Sequence, residues 1–130
     1  MTVERGKLCE FARAARAAAP DLLNGLIMHP TFLITARLIW EPPEMDPVTA
    51  LGFDLSRMLH GEEEYCFHAS PPGPGDTLQV TSRIARTWER SGARSGRMRF
   101  AVVINEFRSP DGTLVAEQFS TMIETASPAE

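Results

Sequence analysis

The sequence predicts an α+β fold in which a short helical region precedes one antiparallel sheet. Helix-like apolar spacing is confined to the first third of the 130 residues. Three long segments with period-two alternation follow one another in the second half, and glycine- and proline-rich turns separate them. Runs of helix followed by runs of strand are typical of this fold class.

The first element is predicted as a helix over Val3–Ala19. Its apolar side chains fall on one helical face, at Leu8, Phe11, Ala12 and Ala15. The many alanines favour a helix, and Pro20 is expected to end it because proline removes a backbone donor and clashes with the preceding turn.

A strongly apolar segment follows at residues 32–40. The preceding His29-Pro30-Thr31 is typical of a helix start, with proline at the first helical position. The β-branched residues of the segment would also suit a strand, and periodicity does not decide between the two. In either form, its composition predicts that the segment is buried.

The middle of the chain is predicted as a loop followed by a helical turn. Pro42, Pro43 and Pro47 make residues 41–50 an irregular loop. Residues 51–58 have room for one helical turn before the first strand.

The first strand is predicted over residues 59–68. Alternation places Leu59, Glu63, Tyr65 and Phe67 on one face and turns Glu62 and Glu64 to the other. The run of three glutamates is most simply a solvated stretch. A Glu63 held among the aromatic side chains would instead be suited to acid–base chemistry.

Three further alternating segments are predicted as a meander of strands. They cover residues 78–88, 98–104 and 114–125. A hairpin connection is expected at residues 91–96, and Ser109-Pro-Asp-Gly112 is a strong turn signal because proline and glycine occupy the positions that turns favour.

The length and composition fit a single domain over residues 1–130. A chain of this size can bury about two-thirds of its unfolded surface, so it needs neither a disulfide nor a metal ion to hold a core. Cys9 and Cys66 stand alone without metal-ligand spacing. We therefore expect no metal and no other cofactor.

The charge and hydropathy argue against two classes of partner. The 13 basic and 17 acidic residues give a net charge of -4, which argues against general nucleic-acid binding. No apolar run approaches the ~20 residues of a membrane span, and Met1–Glu10 has no apolar core of a secretory signal. We expect a cytoplasmic protein.

Several pieces of the sequence, in this order, resemble the MaoC-like dehydratase N-terminal branch of the hot-dog family. They are Phe11-Ala-Arg13, His29-Pro-Thr-Phe-Leu33, Leu59-His-Gly-Glu-Glu-Glu-Tyr65 and Gly75-Asp-Thr-Leu-Gln-Val80. The resemblance covers most of the chain. It implies a hot-dog fold, in which a long antiparallel sheet wraps around a central apolar helix that begins at Thr31.

The resemblance also implies an activity. Two hot-dog units would pair side by side into one continuous sheet, with a pantetheine thioester bound in the seam. The implied chemistry is reversible dehydration of a (3R)-hydroxyacyl thioester of coenzyme A or of an acyl carrier protein, in fatty-acid or polyketide-type metabolism.

Hydratases of this family carry an Asp and, five residues later, a His in a Gly-Asp-x-Asn-Pro-x-His run that does the acid–base work. This chain has no such run, and Asp21 and His29 lie eight residues apart in a mostly apolar stretch. They are candidates for a catalytic pair only if the fold brings them together. Otherwise Asp21 caps a turn or is a solvated residue in it, and His29 caps the helix.

His60 is the other catalytic candidate, with Glu63 as its carboxylate partner. It lies at the start of a strand near the implied seam, and a histidine beside carboxylates is suited to acid–base catalysis. The alternative is a hydrogen-bonded histidine at a strand end or interface.

Two features are candidates for substrate binding. The backbone N–H groups at Pro30-Thr31-Phe32 would polarise a thioester carbonyl if they lie at a helix start. Six arginines cluster within residues 83–99 against the single acid Glu89. Among them, Arg94 and Arg97 are candidates for binding coenzyme A phosphates or an acidic carrier protein, although arginines on an edge strand can also serve solubility alone.

The missing catalytic run favours a subunit that shapes half of the acyl tunnel and pairs with a MaoC-like catalytic subunit as a heterodimer. One alternative is a self-sufficient homodimeric dehydratase or thioesterase that uses His60 or His29. The other is a non-catalytic protein that binds acyl thioesters.

Overall fold

The computed structural model describes residues 1–37, 46–92 and 96–126, and it confirms an α+β chain in which helices precede strands. The helical elements are α1 (Arg5–Ala14), α2 (Pro20–Leu23), a 3₁₀ turn (Phe32–Ile34), α3 (Pro47–Ala50) and a second 3₁₀ turn (Leu55–Arg57). The strands are β1 (Met58–Phe67), β2 (Gln79–Gly92), β3 (Gly96–Arg108) and β4 (Leu114–Glu124). None of the described helices combines the length and the apolar content that crossing a membrane requires.

Helix α1 is shorter than predicted. It stops at Ala14, and Arg16 just beyond it has a left-handed backbone (φ 54°) that an α-helix cannot continue. Pro20 does not end this helix but begins α2, because proline fits the first turn, where its missing N–H would have no helical partner. Leu8 and Ala12 are buried as expected, whereas Ala15 is exposed.

The apolar segment after Pro30 is helical as far as the structure describes it. The Phe32 N–H donates to the His29 carbonyl oxygen at 2.9 Å, which closes a turn around Pro30 before the 3₁₀ turn begins. Helical backbone continues to Arg37, so the strand alternative is wrong for residues 32–37. Residues 38–40 of the predicted segment lie outside the described residues.

The predicted irregular loop at residues 41–50 is wrong for its last part. The Asp46 side chain accepts the Val48 N–H at 2.9 Å and caps α3, which Pro47 opens. Residues 41–45 lie outside the described ranges. The helical turn predicted within residues 51–58 is confirmed at Leu55–Arg57, where the side chain of Asp54 is the cap.

The four strands form one antiparallel sheet in the order β1-β4-β3-β2. The predicted meander of β2, β3 and β4 is confirmed, and β1 lies beside β4, so β1 and β2 are the edge strands. The predicted turn between β3 and β4 is confirmed by a 2.9 Å bond from the Gly112 N–H to the Ser109 carbonyl oxygen. Residues 93–95 of the other hairpin are not among the described residues.

The chain divides into two compact units. The first comprises the described residues of Met1–Trp40, Tyr65–Thr81 and Glu106–Glu117. In its core, the first residues of the apolar segment pack against residues of the strands. The fully or nearly buried members include Leu8, Phe32, Leu33, Phe107 and Ala116. Burial of Phe32 and Leu33 against the strands confirms the predicted role of this segment as core.

The second unit comprises the described residues of Glu41–Glu64, Ser82–Asn105 and Gln118–Glu130. Its smaller apolar cluster contains Val48, Phe53, Ala101, Val103 and Met122. Among the described residues five polar or charged side chains are buried, and four of them lie in this unit: Asn105, Gln118, Ser120 and Glu124. Buried polar groups are costly unless they are paired, so their partners bear on function.

Candidate functional site

Asp21 and His29 do not form a catalytic pair in the structure. Asp21 is exposed in the first turn of α2, whereas His29 packs against the Phe11 ring with 5.5 Å between ring centroids. The His29 Nδ1 accepts a hydrogen bond from the Thr31 N–H at 3.3 Å. Within residues 1–37, no hydrogen bond or ion pair joins the Asp21 carboxylate to the His29 ring.

The backbone N–H groups of Thr31 and Phe32 are already hydrogen-bonded, and Pro30 has no N–H to offer. Thr31 donates its N–H to the His29 ring and Phe32 donates to the His29 carbonyl oxygen. Phe32 is buried in the core of its unit, and the helical turn is only three residues long. The two N–H groups expected to polarise a thioester carbonyl therefore have partners within the chain.

His60 and Glu63 do lie together, on strand β1. The His60 Nδ1 is 3.4 Å from a carboxylate oxygen of Glu63, and the His60 side chain is 61% exposed whereas that of Glu63 is 26% exposed. Of the histidine–carboxylate pairs expected from the sequence, this is the one that the described residues bring into contact.

Glu63 also anchors a chain of polar side chains, which we name the Glu63 network: the partly exposed Glu63 and the buried Gln118, Ser120 and Asn105. The Gln118 Nε2 donates to the Glu63 Oε2 at 2.9 Å, and the Ser120 hydroxyl donates to the other oxygen. The Asn105 Nδ2 in turn donates to the Gln118 Oε1 at 2.9 Å. The network therefore links three strands of the sheet, β1, β4 and β3.

The charge of Glu63 fixes the direction of this network. A carboxylate can only accept, so Gln118 must present its amide nitrogen to Glu63 and its oxygen to Asn105. Asn105 must then present its own nitrogen, and its Oδ1 points elsewhere. That Oδ1 is buried and accepts no hydrogen bond from any described residue.

The sequence signal for the Glu63 network was present but ambiguous. Gln118 and Ser120 share their strand parity with buried Ala116 and Met122, whereas apolar Phe119 and Ile123 occupy the opposite parity. With apolar residues on both faces, alternation alone does not show which face of β4 is the inner one. The sequence also gave no indication of a second histidine–carboxylate contact, in which the His68 Nε2 lies 2.8 Å from a carboxylate oxygen of Glu117.

The predicted arginine cluster is largely engaged within the chain. Arg94 lies outside the described residues, and Arg97 donates to Glu89 at 2.9 Å, which lowers the pKa of Glu89. The Arg86 guanidinium lies 4.2 Å from the centre of the Trp88 ring, and Trp88 stacks on Phe100. Both side chains are therefore exposed, but Arg97 forms an ion pair with Glu89 and Arg86 lies over the Trp88 ring.

Arg97 also borders a cleft of about 660 Å³ in the second unit. At its base, the buried Glu124 carboxylate accepts the Asp54 N–H at 2.7 Å and the guanidinium groups of Arg57 and Arg99 at 3.0 Å each. These bonds lower the pKa of Glu124, and the bond from the Asp54 N–H has the largest effect.

In the described part of the chain, no group of three or more His, Cys, Asp or Glu side chains is arranged to hold a metal ion.

Comparison with known families and structures gives a consistent result. The family described as "FAS1-like, dehydratase domain region" matches residues 1–118. No curated protein sequence gave a significant match.

Several solved structures share the fold. The chain is similar to one from the HadBC (3R-hydroxyacyl-ACP dehydratase) complex of Mycobacterium tuberculosis, with 25% identity, a TM-score of 0.72 and coverage of 95% of this chain and 88% of that chain. A chain of the ChsH1-ChsH2 complex from the same organism is 14% identical with a TM-score of 0.69, covering 100% of this chain and 82% of that chain. The R-hydratase PhaJ1 from Pseudomonas aeruginosa is 14% identical with a TM-score of 0.52, covering 100% and 83%. The hot-dog fold predicted from the sequence is confirmed.

Proposed function

We propose, from the premise that this chain belongs to the FAS1-like, MaoC-like hot-dog dehydratase family, that it is one subunit of a (3R)-hydroxyacyl-thioester dehydratase. It supplies half of the seam that holds the acyl chain. A second, MaoC-like hot-dog chain pairs with it and carries the catalytic acid and base.

The proposal rests on how Asp21 and His29 are arranged, because they lie in the stretch that corresponds to the family's acid–base run. Dehydration needs a base for the Cα proton, an acid for the leaving hydroxyl and donors for the charge that develops on the carbonyl. Here Asp21 and His29 are not joined, and the N–H groups of Thr31 and Phe32 are bonded to His29. A partner chain would therefore provide the reacting groups.

The HadBC likeness supports both the partner and the substrate class. That protein is a complex described as a (3R)-hydroxyacyl-ACP dehydratase, and one of its chains is 25% identical to this one over most of both lengths. We therefore favour a (3R)-hydroxyacyl thioester of an acyl carrier protein, with coenzyme A as the second carrier to be tested.

The test is reconstitution. The purified chain is mixed with a MaoC-like hot-dog chain that contains the Gly-Asp-x-Asn-Pro-x-His run, and formation of the unsaturated thioester is followed for both carriers. We expect turnover from the mixture and none from this chain alone. Replacement of the histidine in the partner's run is the control, and it should abolish turnover. Full activity of this chain without a partner would refute the proposal.

The contact between His60 and Glu63 favours a second candidate, a self-sufficient homodimer. The His60 Nδ1 faces the carboxylate at 3.4 Å, which leaves Nε2 available as a base. If this chain alone proves active, His60→Ala and His29→Ala variants identify the residue responsible. Saturable binding of an acyl thioester without turnover, with every partner tried, would instead indicate a binding protein.

A further inference from the structure

Strand β1 contains a β-bulge between Gly61 and Glu63. In a regular strand these two residues would project from the same face and oppose residues two positions apart on β4. Instead, a Cβ placed on Gly61 would lie 3.4 Å from the Thr121 Cγ2, whereas Glu63 accepts a hydrogen bond from the Ser120 hydroxyl. Two positions along β1 therefore correspond to one position along β4, so β1 carries one extra residue at this point.

The bulge brings His60 and Glu63 together. Residues three positions apart on a regular strand lie about 10 Å apart and project from opposite faces. Here the His60 Nδ1 lies 3.4 Å from a carboxylate oxygen of Glu63. Gly61 suits the bulge, because a Cβ at this position would lie only 2.8 Å from the Ile123 Cδ1. Bulges beside functional sites re-aim a side chain in this way.

Glu63 also determines which ring nitrogen of His60 carries the hydrogen. A carboxylate can only accept, so the contact is made by Nδ1–H and leaves a lone pair on Nε2 of the neutral ring. Gln118 and Ser120 both donate to this carboxylate and fix its orientation. None of the described residues bonds to the His60 Nε2, and the side chain is 61% exposed. His60 therefore offers a hydrogen-bond acceptor to a ligand.

The other two histidines of the chain carry the hydrogen on the opposite nitrogen. The His29 Nδ1 accepts the Thr31 N–H at 3.3 Å, which places the hydrogen of the neutral ring on Nε2. The His68 Nε2 lies 2.8 Å from a carboxylate oxygen of Glu117, so that nitrogen is the donor. Of the three histidines, His60 is the one whose Nε2 is preset as an acceptor.

We propose that the His60 Nε2 binds a hydrogen-bond donor on the pantetheine arm of the acyl thioester, with Gly61, Glu63 and Ser120 as positioning residues. The inference rests on the proposed function, because it takes an acyl thioester as the ligand. The acid and base of the partner act on the hydroxyl and the Cα proton, so the amide N–H groups of the arm are the donors left for His60. Coenzyme A and an acyl carrier protein share this arm, so His60 should contribute equally to both.

The position of the ring hydrogen is measured directly by NMR. Long-range proton–nitrogen spectra of the isotope-labelled chain distinguish Nδ1–H from Nε2–H at a mildly alkaline pH, where histidine is neutral. We expect Nδ1–H for His60 and Nε2–H for His29 and His68. Glu63→Ala should move the His60 hydrogen to Nε2, the nitrogen that carries it in a free ring. Glu62→Ala removes an exposed neighbouring carboxylate and should leave the His60 ring unchanged.

The same spectra test the bulge. Gly61→Ala adds a methyl group that must displace Ile123, so it should shift part of the His60 population towards Nε2–H. Gly6→Ala is the matched control, because a Cβ at that position has no other atom within 4 Å, and it should have no such effect.

The contact with the ligand is tested in the reconstituted complex. His60→Ala should raise KM about fivefold for both carriers and leave kcat unchanged, because a bond to the arm is equally strong in the ground state and the transition state. His60→Gln keeps an acceptor oxygen and should recover part of the affinity. His68→Ala is the control and should leave both constants unchanged.

Three results would overturn the inference: a His60 ring with its hydrogen on Nε2, an unchanged KM for His60→Ala, or a fall in kcat alone. In the last two cases the turnover of the unchanged complex would leave the proposed function intact. If no mixture turns over, the proposed function fails, and binding of a (3R)-hydroxyacyl-coenzyme A to this chain decides the inference by itself. Weaker binding by His60→Ala would then support the inference, whereas equal binding would overturn it.

Discussion

Gln118 donates a hydrogen bond to Glu63 at 2.9 Å, so a partly exposed carboxylate on β1 fixes the orientation of a buried amide on β4. The constraint passes on to Asn105, whose nitrogen must face Gln118 and whose oxygen is left without a partner among the described residues. One charge near the surface thereby determines the hydrogen bonding of two buried side chains.

The first prediction concerns that charge. Glu63→Ala should lower the free energy of unfolding by about 1–3 kcal/mol, because the buried Gln118 amide and Ser120 hydroxyl lose their acceptor. Urea unfolding measures the change. Glu62→Ala, one residue away and exposed, is the control and should have little effect. Similar losses for the two variants would show that the Glu63 network does not depend on the carboxylate.

The second prediction concerns the two buried amides. Asn105→Leu and Gln118→Leu should each cost about 1–3 kcal/mol, because each leaves the other amide without its partner. The double substitution should cost clearly less than the sum, since apolar groups then replace both members of the pair. A double-mutant cycle by urea unfolding gives the coupling energy, and additive losses would contradict the 2.9 Å bond between them.

Much of the fold was predictable from local patterns. Period-two alternation located all four strands, and Ser109-Pro-Asp-Gly112 gave the turn, because these signals depend on neighbouring residues alone. The end of α1 was not predictable in the same way. The alanine-rich sequence favours a longer helix, but Arg16 takes up a left-handed conformation that the local pattern does not indicate.

The candidate site was predictable only in part. The motif-like pieces singled out His60 and Glu63, which the fold does bring into contact. Asn105 and Gln118 could not be found, since their pairing depends on the register between β3 and β4 and on which face of β4 is buried. The spacing of eight positions from Asp21 to His29 left their contact open, and the turns after α2 do not bring the two side chains into contact.

The third prediction concerns the buried carboxylate of the cleft. Glu124→Gln should lower the free energy of unfolding by about 2–4 kcal/mol, somewhat below the ~3–5 kcal/mol of a fully buried pair, because Arg57 and Arg99 keep some access to water. Thermal or urea unfolding tests this. Glu89→Gln, which removes an exposed partner of Arg97, is the matched control and should change stability little. A result in which the two variants behave alike would mean that Glu124 is not structurally important.

The fourth prediction concerns acid stability. The Ser56 hydroxyl, the Arg57 guanidinium and the Ser56 N–H stabilise the Asp54 carboxylate and lower its pKa from 3.8 to about 2. The folded chain therefore binds this proton less readily than the unfolded chain. The stabilisation is complete above the unfolded pKa and is lost as the pH falls from 3.8 towards 2.

Asp54→Asn isolates this effect, since asparagine also caps a helical turn but does not titrate. Between pH 4 and pH 2 the unfolding free energy of the variant should fall less steeply than that of the unchanged chain. The lowered pKa of Glu124 acts in the same direction and remains in the variant, so the slope should be reduced but not abolished. Urea unfolding at a series of pH values gives both slopes, with Glu62→Gln as the control for loss of an exposed carboxylate. Parallel curves for Asp54→Asn and the unchanged chain would show that Asp54 does not retain its charge through these contacts.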